Sequence, residues 1–220
     1  MALPSPARKD YHGESWWSTV ALPDLRAWMS VARRRHAAGT VTAAVELAGR
    51  FGADPSGAAL AGHYHDLARD LPPADLLALA TRFGLFVDPV SRRAPTVLHG
   101  QVAAEVAREQ FGVTAPEVLG AIAWHTTGIP RPRLLEKILF VADAIEPGRS
   151  YPGLDEIRAA AGRDLDEAML LAVDSKLIYL VAGGRLVHPR LLAARNSLLL
   201  NVVRPGPTSS GTDSVGGTRD

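Results

Sequence analysis

The sequence contains no cysteine, and this absence limits its chemistry more than any other feature of its composition. Without thiols the chain cannot form disulfides, use a thiolate nucleophile or hold zinc and iron–sulfur clusters through cysteine. Any metal chemistry must therefore use nitrogen and oxygen ligands, supplied by histidine and the carboxylates. The lack of disulfides is compatible with a reducing cytoplasm, which is the location we expect.

The chain also lacks a strong net charge and a long apolar run. Its 220 residues carry a formal net charge of +1, so we expect neither nucleic acid nor an anionic membrane as a partner. No apolar stretch is long enough to cross a bilayer. Residues 1–17 have no apolar signal-peptide core, so we do not expect secretion.

The spacing of apolar residues predicts an all-α helical bundle. Segments with helical periodicity are separated by proline and glycine, and neither strand alternation nor an internal repeat is convincing. We expect an irregular N-terminal arm over residues 1–22, the helical domain over 23–203 and a disordered tail, rich in Gly, Ser, Thr and Pro, over 204–220.

Proline and glycine also predict where helices begin and end. A first helix is expected to open with Pro23 at its first position, and a second segment ends at Gly52. The next helix is expected over residues 58–70. A loop punctuated by prolines then delivers His99 to the start of another helix.

Four histidines and two aspartates stand out against these apolar segments. In chain order they are His36, the adjacent pair His65 and Asp66, His99, His125 and Asp143. Asp143 continues an apolar stripe through Leu135 and Leu139, and a carboxylate that faces a core needs a partner, a proton or a metal. Any one of the six alone would more often be an ordinary core or surface residue. Together, on separate helices, they predict one convergent metal site.

The adjacent pair and the number of candidate ligands favour two metal ions. Neighbouring residues on a helix point about 100° apart, so His65 can bind one metal while the two oxygens of Asp66 reach between two. Six ligands also exceed what a single catalytic zinc usually takes. We expect two divalent or mixed-valence ions, and nitrogen and oxygen ligation suits iron, manganese or another transition metal.

The motifs around these residues resemble those of the HD-domain phosphohydrolases. The order H…HD…H…H…D, with HYHDLARD, HTTG and LLEKILFVADAIEPGRSYPGLDEIR, is most similar to the YqeK-type symmetrical bis(5′-nucleosyl)-tetraphosphatases. The resemblance runs from about Pro23 to about Leu200. The generic order is typical of the whole superfamily, whereas His99, the HTTG turn and the ADAIEPGR segment are typical of the family.

The resemblance implies a role for each ligand and a reaction. Asp66 would bridge the metals and act in catalysis. The first metal site would be completed by His36, His65 and Asp143, and the second by His99 and His125. Iron is the metal that the resemblance favours. A hydroxide bridging the two ions would attack a phosphorus of diadenosine tetraphosphate, and symmetrical cleavage would yield two ADP.

Arg69 is the second candidate catalytic residue. It lies one helical turn beyond His65 and Asp66, so its guanidinium could reach a metal-bound phosphate, although an ordinary surface arginine would look the same. The family more often has lysine at this position. The chain also has Ala144 and Gly148 where family members often carry a larger or polar residue and asparagine.

Five further residues are candidates for substrate binding. The HTTG turn offers two hydroxyls and backbone N–H groups beside a metal ligand, through Thr126, Thr127 and Gly128. The same turn could simply cap a helix at Gly128. The resemblance adds Lys137 and Arg149 as phosphate contacts, and Lys137 could instead be a surface partner of a nearby acid.

Two other functions stay open on the sequence alone. The same metal chemistry would serve an HD-type nucleotidase or nucleoside triphosphate phosphohydrolase. The other hypothesis is a non-catalytic nucleotide sensor, which the complete set of metal ligands disfavours. A dinucleotide with two nucleoside ends needs an open groove, whereas a monophosphatase needs a closed pocket. A homodimer is left open as well.

Overall fold

Residues 22–202 are described by the computed structural model, and they form a bundle of α-helices without a strand. The predicted all-α class is confirmed. The predicted tail and, apart from Leu22, the predicted arm lie outside the described residues. The helices are α1 (Val31–Phe51), α2 (Pro55–Tyr64), α3 (Pro73–Arg82), α4 (Pro89–Arg93), α5 (His99–Phe111), α6 (Pro116–Trp124), α7 (Leu134–Ile145), α8 (Leu154–Ala161), α9 (Leu165–Ala182) and α10 (Pro189–Val202).

The helices that carry the candidate ligands pack around one another. Helix α1 lies against α2 and α7, and α6 lies against α2, α5 and α7. On the far side, α9 packs against α7, α8 and α10. No helix between residues 22 and 202 is long and apolar enough to cross a membrane.

The first helix begins later than the sequence predicted. It starts at Val31 rather than at Pro23, because Ser30 supplies the cap: its side chain accepts a hydrogen bond from the backbone N–H of Arg33. Such a side chain satisfies one of the free donors at a helix start. The helix then continues unbroken to Phe51, so the two segments expected before Gly52 are largely one.

The helix expected over residues 58–70 is wrong in its second half. Helix α2 ends at Tyr64, and the chain continues in turns closed by hydrogen bonds from Leu67 N to Tyr64 O and from Arg69 N to Asp66 O. His65 and Asp66 therefore lie just beyond the end of a helix. The loop expected before His99 contains α4 and a 3₁₀ turn, and His99 begins α5 as predicted.

Helices α1 and α2 approach closely at Gly62. A Cβ atom built there would lie 3.0 Å from Cα and 3.1 Å from the backbone nitrogen of Val41. Backbone atoms of a packed helix cannot move aside as a flexible side chain can. The absence of a side chain at Gly62 therefore sets the distance between α1, which carries His36, and α2, which ends next to His65.

We expect Gly62→Ala to lower the free energy of unfolding by about 1–3 kcal/mol, because the added methyl group forces the two helices apart. Gly49→Ala is the matched control. Gly49 also lies in a helix, but a Cβ there meets no atom within 4 Å, so this variant should be neutral or more stable by up to about 1 kcal/mol. Urea unfolding of both variants measures the difference, and equal effects would contradict the close-packing argument.

Candidate metal centre

The six predicted ligands come together at one point in the bundle. His36 lies on α1 and Asp143 on α7, both within helices, whereas the other four residues lie at helix ends. His65 is the C-cap of α2 with Asp66 after it, His99 is the first residue of α5, and His125 is the C-cap of α6. The fold thus converts six positions spread over more than a hundred residues into one cluster.

The carboxylate of Asp66 divides this cluster into two halves. Its Oδ2 atom lies 3.7 Å from Nε2 of His36 and 3.6 Å from Nε2 of His65. Its Oδ1 atom lies 3.1 Å from Nε2 of His99 and 3.7 Å from Nε2 of His125. Each oxygen therefore faces a different pair of histidines, and each triad has ligand atoms close enough to hold one metal ion.

Asp143 joins the half that contains His36. Its Oδ1 atom lies 3.0 Å from Nε2 of His36. The same oxygen accepts a hydrogen bond from Nη2 of Arg149 at 2.5 Å, and Nε of Arg149 donates to the backbone carbonyl of Asp143 at 3.0 Å. The first half can thus offer two histidines and two carboxylates.

Three histidines are oriented by the same kind of hydrogen bond, from Nδ1 to a nearby backbone carbonyl. Nδ1 of His65 lies 2.8 Å from the carbonyl of Gly62, and Nδ1 of His125 lies 2.8 Å from the carbonyl of Ile122. Nδ1 of His99 lies 2.6 Å from the carbonyl of Thr96. A carbonyl can only accept, so each Nδ1 carries the proton and each Nε2 presents a lone pair. Each acceptor lies three residues earlier, in the last turn of the preceding helical segment. The carbonyls of Gly62 and Ile122 lie where a helix runs out of N–H donors, whereas the carbonyl of Thr96 also accepts from the backbone N–H of His99.

His36 needs a different partner because it lies inside α1. Its Nδ1 atom lies 3.1 Å from Oε1 of the buried Glu146, whose Oε2 accepts from Gly148 N at 2.6 Å. Gly39 leaves the room for this carboxylate, since a Cβ there would lie 2.4 Å from Oε2 of Glu146. A carboxylate that accepts from Nδ1 fixes the tautomer of a metal-binding histidine and raises its basicity.

The electrostatics of the cluster favour neutral forms of His65 and His99, one in each half, and an ionised Asp66 between them. Burial lowers the pKa of His65 to about 4, and it also lowers the pKa of His99. Arg33 donates to Oδ2 of the buried Asp66 at 2.6 Å, which favours the ionised form of this carboxylate. Burial would also lower the pKa of His36, yet hydrogen bonds and charge from Asp143 raise it.

The donor set fits metal ions. Nε2 of His36 lies 3.2 Å from Nε2 of His65, and Nε2 of His99 lies 3.0 Å from Nε2 of His125. Because each Nδ1 has an acceptor of its own, these facing Nε2 atoms bring lone pairs together around an ionised carboxylate. A cation between them removes the repulsion, and nitrogen and oxygen donors suit iron, manganese or zinc.

The remaining predicted residues differ in their distance from the cluster. The hydroxyl of Thr126 lies 3.1 Å from Nε2 of His99. Thr127 is buried, and its hydroxyl donates to the carbonyl of Gly128. Gly128 has a positive φ of 66°, and its N–H donates to the carbonyl of Trp124, as in a helix cap. Lys137 pairs with Asp166 at 2.5 Å.

Two cavities meet at the cluster. The smaller, of about 480 Å³, is lined mainly by apolar and aromatic side chains, including Phe140, Tyr151 and Ile178. The larger, of about 790 Å³, includes Asp66 in its wall. Both are lined by His125, Asp143, Arg149, Lys176 and Tyr179. Of the predicted substrate contacts, Arg149 lines both cavities and Thr126 the larger one, whereas Thr127, Gly128 and Lys137 line neither. The predicted catalytic residue Arg69 lines the larger cavity.

Comparison with known proteins identifies the family. The model of the HD domain matches residues 33–148. The symmetrical bis(5′-nucleosyl)-tetraphosphatase of Bacillus subtilis is 33% identical over 81% of this chain and 96% of its own length. The enzyme of the same name from Staphylococcus aureus is 36% identical over 74% of this chain and 85% of its own. The chain belongs to the HD-domain family, among the symmetrical bis(5′-nucleosyl)-tetraphosphatases.

A solved structure agrees with this assignment. An HD-superfamily hydrolase from Clostridium acetobutylicum, described as involved in NAD metabolism, is 36% identical and superimposes with a TM-score of 0.78. The match covers 80% of this chain and 94% of that one. The resemblance inferred from the motifs is therefore confirmed, and the HD-domain bundle is the fold.

Three polar residues of the site were missed by the sequence reasoning. Glu146 follows Asp143 by three residues, and only its contact with His36 gives it a role. Arg33, in a run of three arginines, donates from Nη1 to Oδ2 of Asp66 at 2.6 Å. Lys176 lies in the apolar α9 and lines both cavities. The one sequence feature that could have pointed to Lys176 is the position of a charged residue in an apolar helical segment.

We expect Asp66→Ala to reduce the metal content from two ions per chain to less than one, because each triad loses its shared anion. Asp75→Ala is the control, since Asp75 is an exposed acid in the first turn of α3. Metal analysis after anaerobic purification measures both variants. Two ions retained in Asp66→Ala would rule out a bridging role.

Glu146→Gln should weaken the metal site on the His36 side by about 10–100-fold and leave the other site unchanged, because the amide is a poorer partner for Nδ1. Glu46→Gln, at an exposed position on α1, controls for the lost charge. Metal titration should resolve one weakened and one unchanged step. Equal weakening of both steps would mean that Glu146 supports the fold rather than His36.

Proposed function

We propose that this protein hydrolyses diadenosine tetraphosphate symmetrically, to two ADP, at a dinuclear metal centre. The names of its relatives support the substrate. The observation that carries the proposal is the meeting of two cavities at Asp143 and His125, beside the Asp66 carboxylate that two histidine pairs share. A substrate with two nucleoside ends needs space on both sides of the bond that breaks.

In this proposal the six ligands divide as the distances suggest. Asp66 would be shared by two ions, with His36, His65 and Asp143 holding one and His99 and His125 the other. Nitrogen and oxygen donors suit iron or manganese, and iron is the proposed metal because the resemblance to the family favours it. When bound, two such ions would lower the pKa of a water molecule, which then acts as the nucleophile; this is the bridging hydroxide that the sequence analysis expects. They would also act as Lewis acids that bind the phosphate.

The cations of the larger cavity suit a polyphosphate. Five arginines line it, namely Arg33, Arg69, Arg93, Arg149 and Arg185. Guanidinium groups bind phosphate oxygens through paired, charge-assisted hydrogen bonds. Arg149 is held beside the cluster by Asp143, so it can meet the phosphates next to the scissile bond. Arg33 is engaged by Asp66 and orients that carboxylate.

The smaller cavity suits a nucleoside. Its lining combines Phe140, Tyr151, Ile178 and Tyr179 with the edge of the metal cluster. Aromatic and apolar side chains of this kind cover the faces of a base, and a few polar groups fix its orientation. The hydroxyl of Tyr151 donates to the carbonyl of Ala144 at 2.9 Å, which holds the ring in the wall.

The proposed reaction is the hydrolysis of one phosphoanhydride bond by one water molecule. The oxygen of one water forms a bond to an inner phosphorus, and the bond from that phosphorus to the central bridging oxygen breaks. One ADP keeps the new oxygen, and the other leaves with the bridging oxygen and its negative charge. Arg149 and Arg69 are proposed to stabilise this charge as it develops.

The two-sided site favours a dinucleotide substrate over a simple nucleotidase. A phosphatase acting on mononucleotides needs room for one nucleoside, whereas here two cavities share Asp143 and His125 in their walls. The contacts of Thr127 and Lys137 lend no support to their predicted substrate roles. A cytoplasmic location and a homodimer stay predictions.

The proposal is tested by purifying the protein without oxygen, measuring its metals, and incubating it with diadenosine tetraphosphate and a panel of mononucleotides. We expect two metal ions per chain, with iron giving the highest activity, and ADP as the sole product. Formation of AMP and ATP would exclude symmetrical cleavage. Release of inorganic phosphate from mononucleotides at a higher rate would favour the nucleotidase.

Arg69→Ala should leave the metal content intact and lower kcat by tens- to a few-hundred-fold. Arginine is not a metal ligand, and one charge-assisted contact in the transition state is worth about 1.5–3 kcal/mol. Arg69→Lys should retain much of the activity, because it restores the charge and the usual residue of the family. Wild-type kinetics in Arg69→Ala would make Arg69 a solvated surface residue.

A further inference from the structure

Lys176 is a partly buried cation to which the proposed reaction assigns no role. It follows Met169, Ala172 and Val173 on α9, three core residues whose helical spacing continues to position 176. A lysine therefore occupies a place where the pattern would put an apolar side chain. Taking an ammonium group out of water costs free energy, so this position needs a compensating partner.

The contacts of Lys176 within residues 22–202 leave most of its hydrogen-bonding capacity unused. Nζ donates to the carbonyl of Thr126 at 2.6 Å, and it lies 5.3 Å from the centre of the Phe140 ring. An ammonium has three donors, and neither of these partners carries a charge. No ion pair among the described residues includes Lys176.

Its position relative to the two cavities is the second observation. Lys176 and Arg149 are the cations that line both cavities. Arg149 is already bound to Asp143 through its carboxylate and its backbone carbonyl. Lys176 is thus the cation at the junction without a carboxylate within ion-pair distance in the described chain.

The acids around this junction cannot neutralise Lys176 fully. Burial lowers its pKa, while the more distant Asp143 and Asp66 raise it. Both carboxylates face the histidine cluster, and a cation held there would draw on their charge. An anion that enters with the substrate would supply the missing counter-charge, and a phosphate chain that spans both cavities passes this point.

We propose that Lys176 contacts the substrate directly, and that its ammonium group binds the phosphate chain where the two cavities meet. This inference rests on the proposed function for the identity of the chain, but the binding of a diphosphate can be measured without turnover. Helix α9 then contributes to recognition as well as to the core, with Tyr179 one turn further along the same wall.

The test measures the affinity of the metal-loaded protein for inorganic pyrophosphate and for ADP by calorimetry. Lys176→Gln removes the charge but keeps an N–H donor for the carbonyl of Thr126. We expect it to bind both ligands about ten- to a hundredfold more weakly at unchanged metal content. Lys176→Met should lose at least as much affinity, and Lys176→Arg should recover most of it.

Arg195→Met is the matched control for the loss of one positive charge. Nη2 of Arg195 donates to Asp174 at 3.3 Å, and Asp174 lies on α9 two residues before Lys176. Arg195 lines neither cavity. This variant should bind pyrophosphate as the wild-type protein does. A uniform, long-range charge effect would weaken it as much as Lys176→Gln, and that result would overturn the proposal.

Other outcomes separate this inference from the proposed function. Wild-type affinity of Lys176→Gln for pyrophosphate at full metal loading would overturn the role of Lys176 even if the protein cleaves diadenosine tetraphosphate. Loss of folding in both the Gln and Met variants would make the ammonium structural and would also overturn it. The wild-type protein could instead fail to hydrolyse diadenosine tetraphosphate while its pyrophosphate binding still depends on Lys176. That result would overturn the proposed substrate but not the role of Lys176.

Discussion

The contact between one buried carboxylate and two pairs of histidines is the constraint around which the bundle is organised. Asp66 is only 4% exposed, and an ionised carboxylate at such a position is very unfavourable unless charge and hydrogen bonds compensate. Arg33 provides part of this compensation at 2.6 Å. The histidines provide less, because their protons are directed away from Asp66. Metal ions would complete the compensation, so the stability of the native chain should depend on their binding.

The way in which the histidines are held explains why helix ends recur at the site. A carbonyl in the last turn of a helix has a lone pair available for a side-chain donor, and His65, His99 and His125 each use the carbonyl three residues earlier. The backbone alone then fixes the tautomer and the direction of the ring. His36 lies within α1, where backbone carbonyls already bond to the helix, and it therefore requires Glu146 from elsewhere in the fold.

This difference also decides how much could be predicted from the sequence. Metal-binding residues are few on apolar helices, so the six candidates and the all-α class were visible in composition and spacing. Helix limits were less visible, because the cap at Ser30 and the early end of α2 at Tyr64 depend on local hydrogen bonds that compete with the apolar pattern. Glu146 and His36 are 110 residues apart, and no local rule connects two positions at that separation.

The two cavities are unlike each other, although the proposed substrate has two identical halves. Hydrolysis itself removes this apparent conflict, because the water attacks one phosphorus and the other half departs as the leaving group. One ADP must be held for in-line attack, and the other needs its developing negative charge stabilised. An aromatic cavity that fixes a nucleoside and a cavity lined by arginines suit these two tasks respectively. In the proposed reaction, the unequal walls would therefore match the unequal roles of the two halves of the substrate.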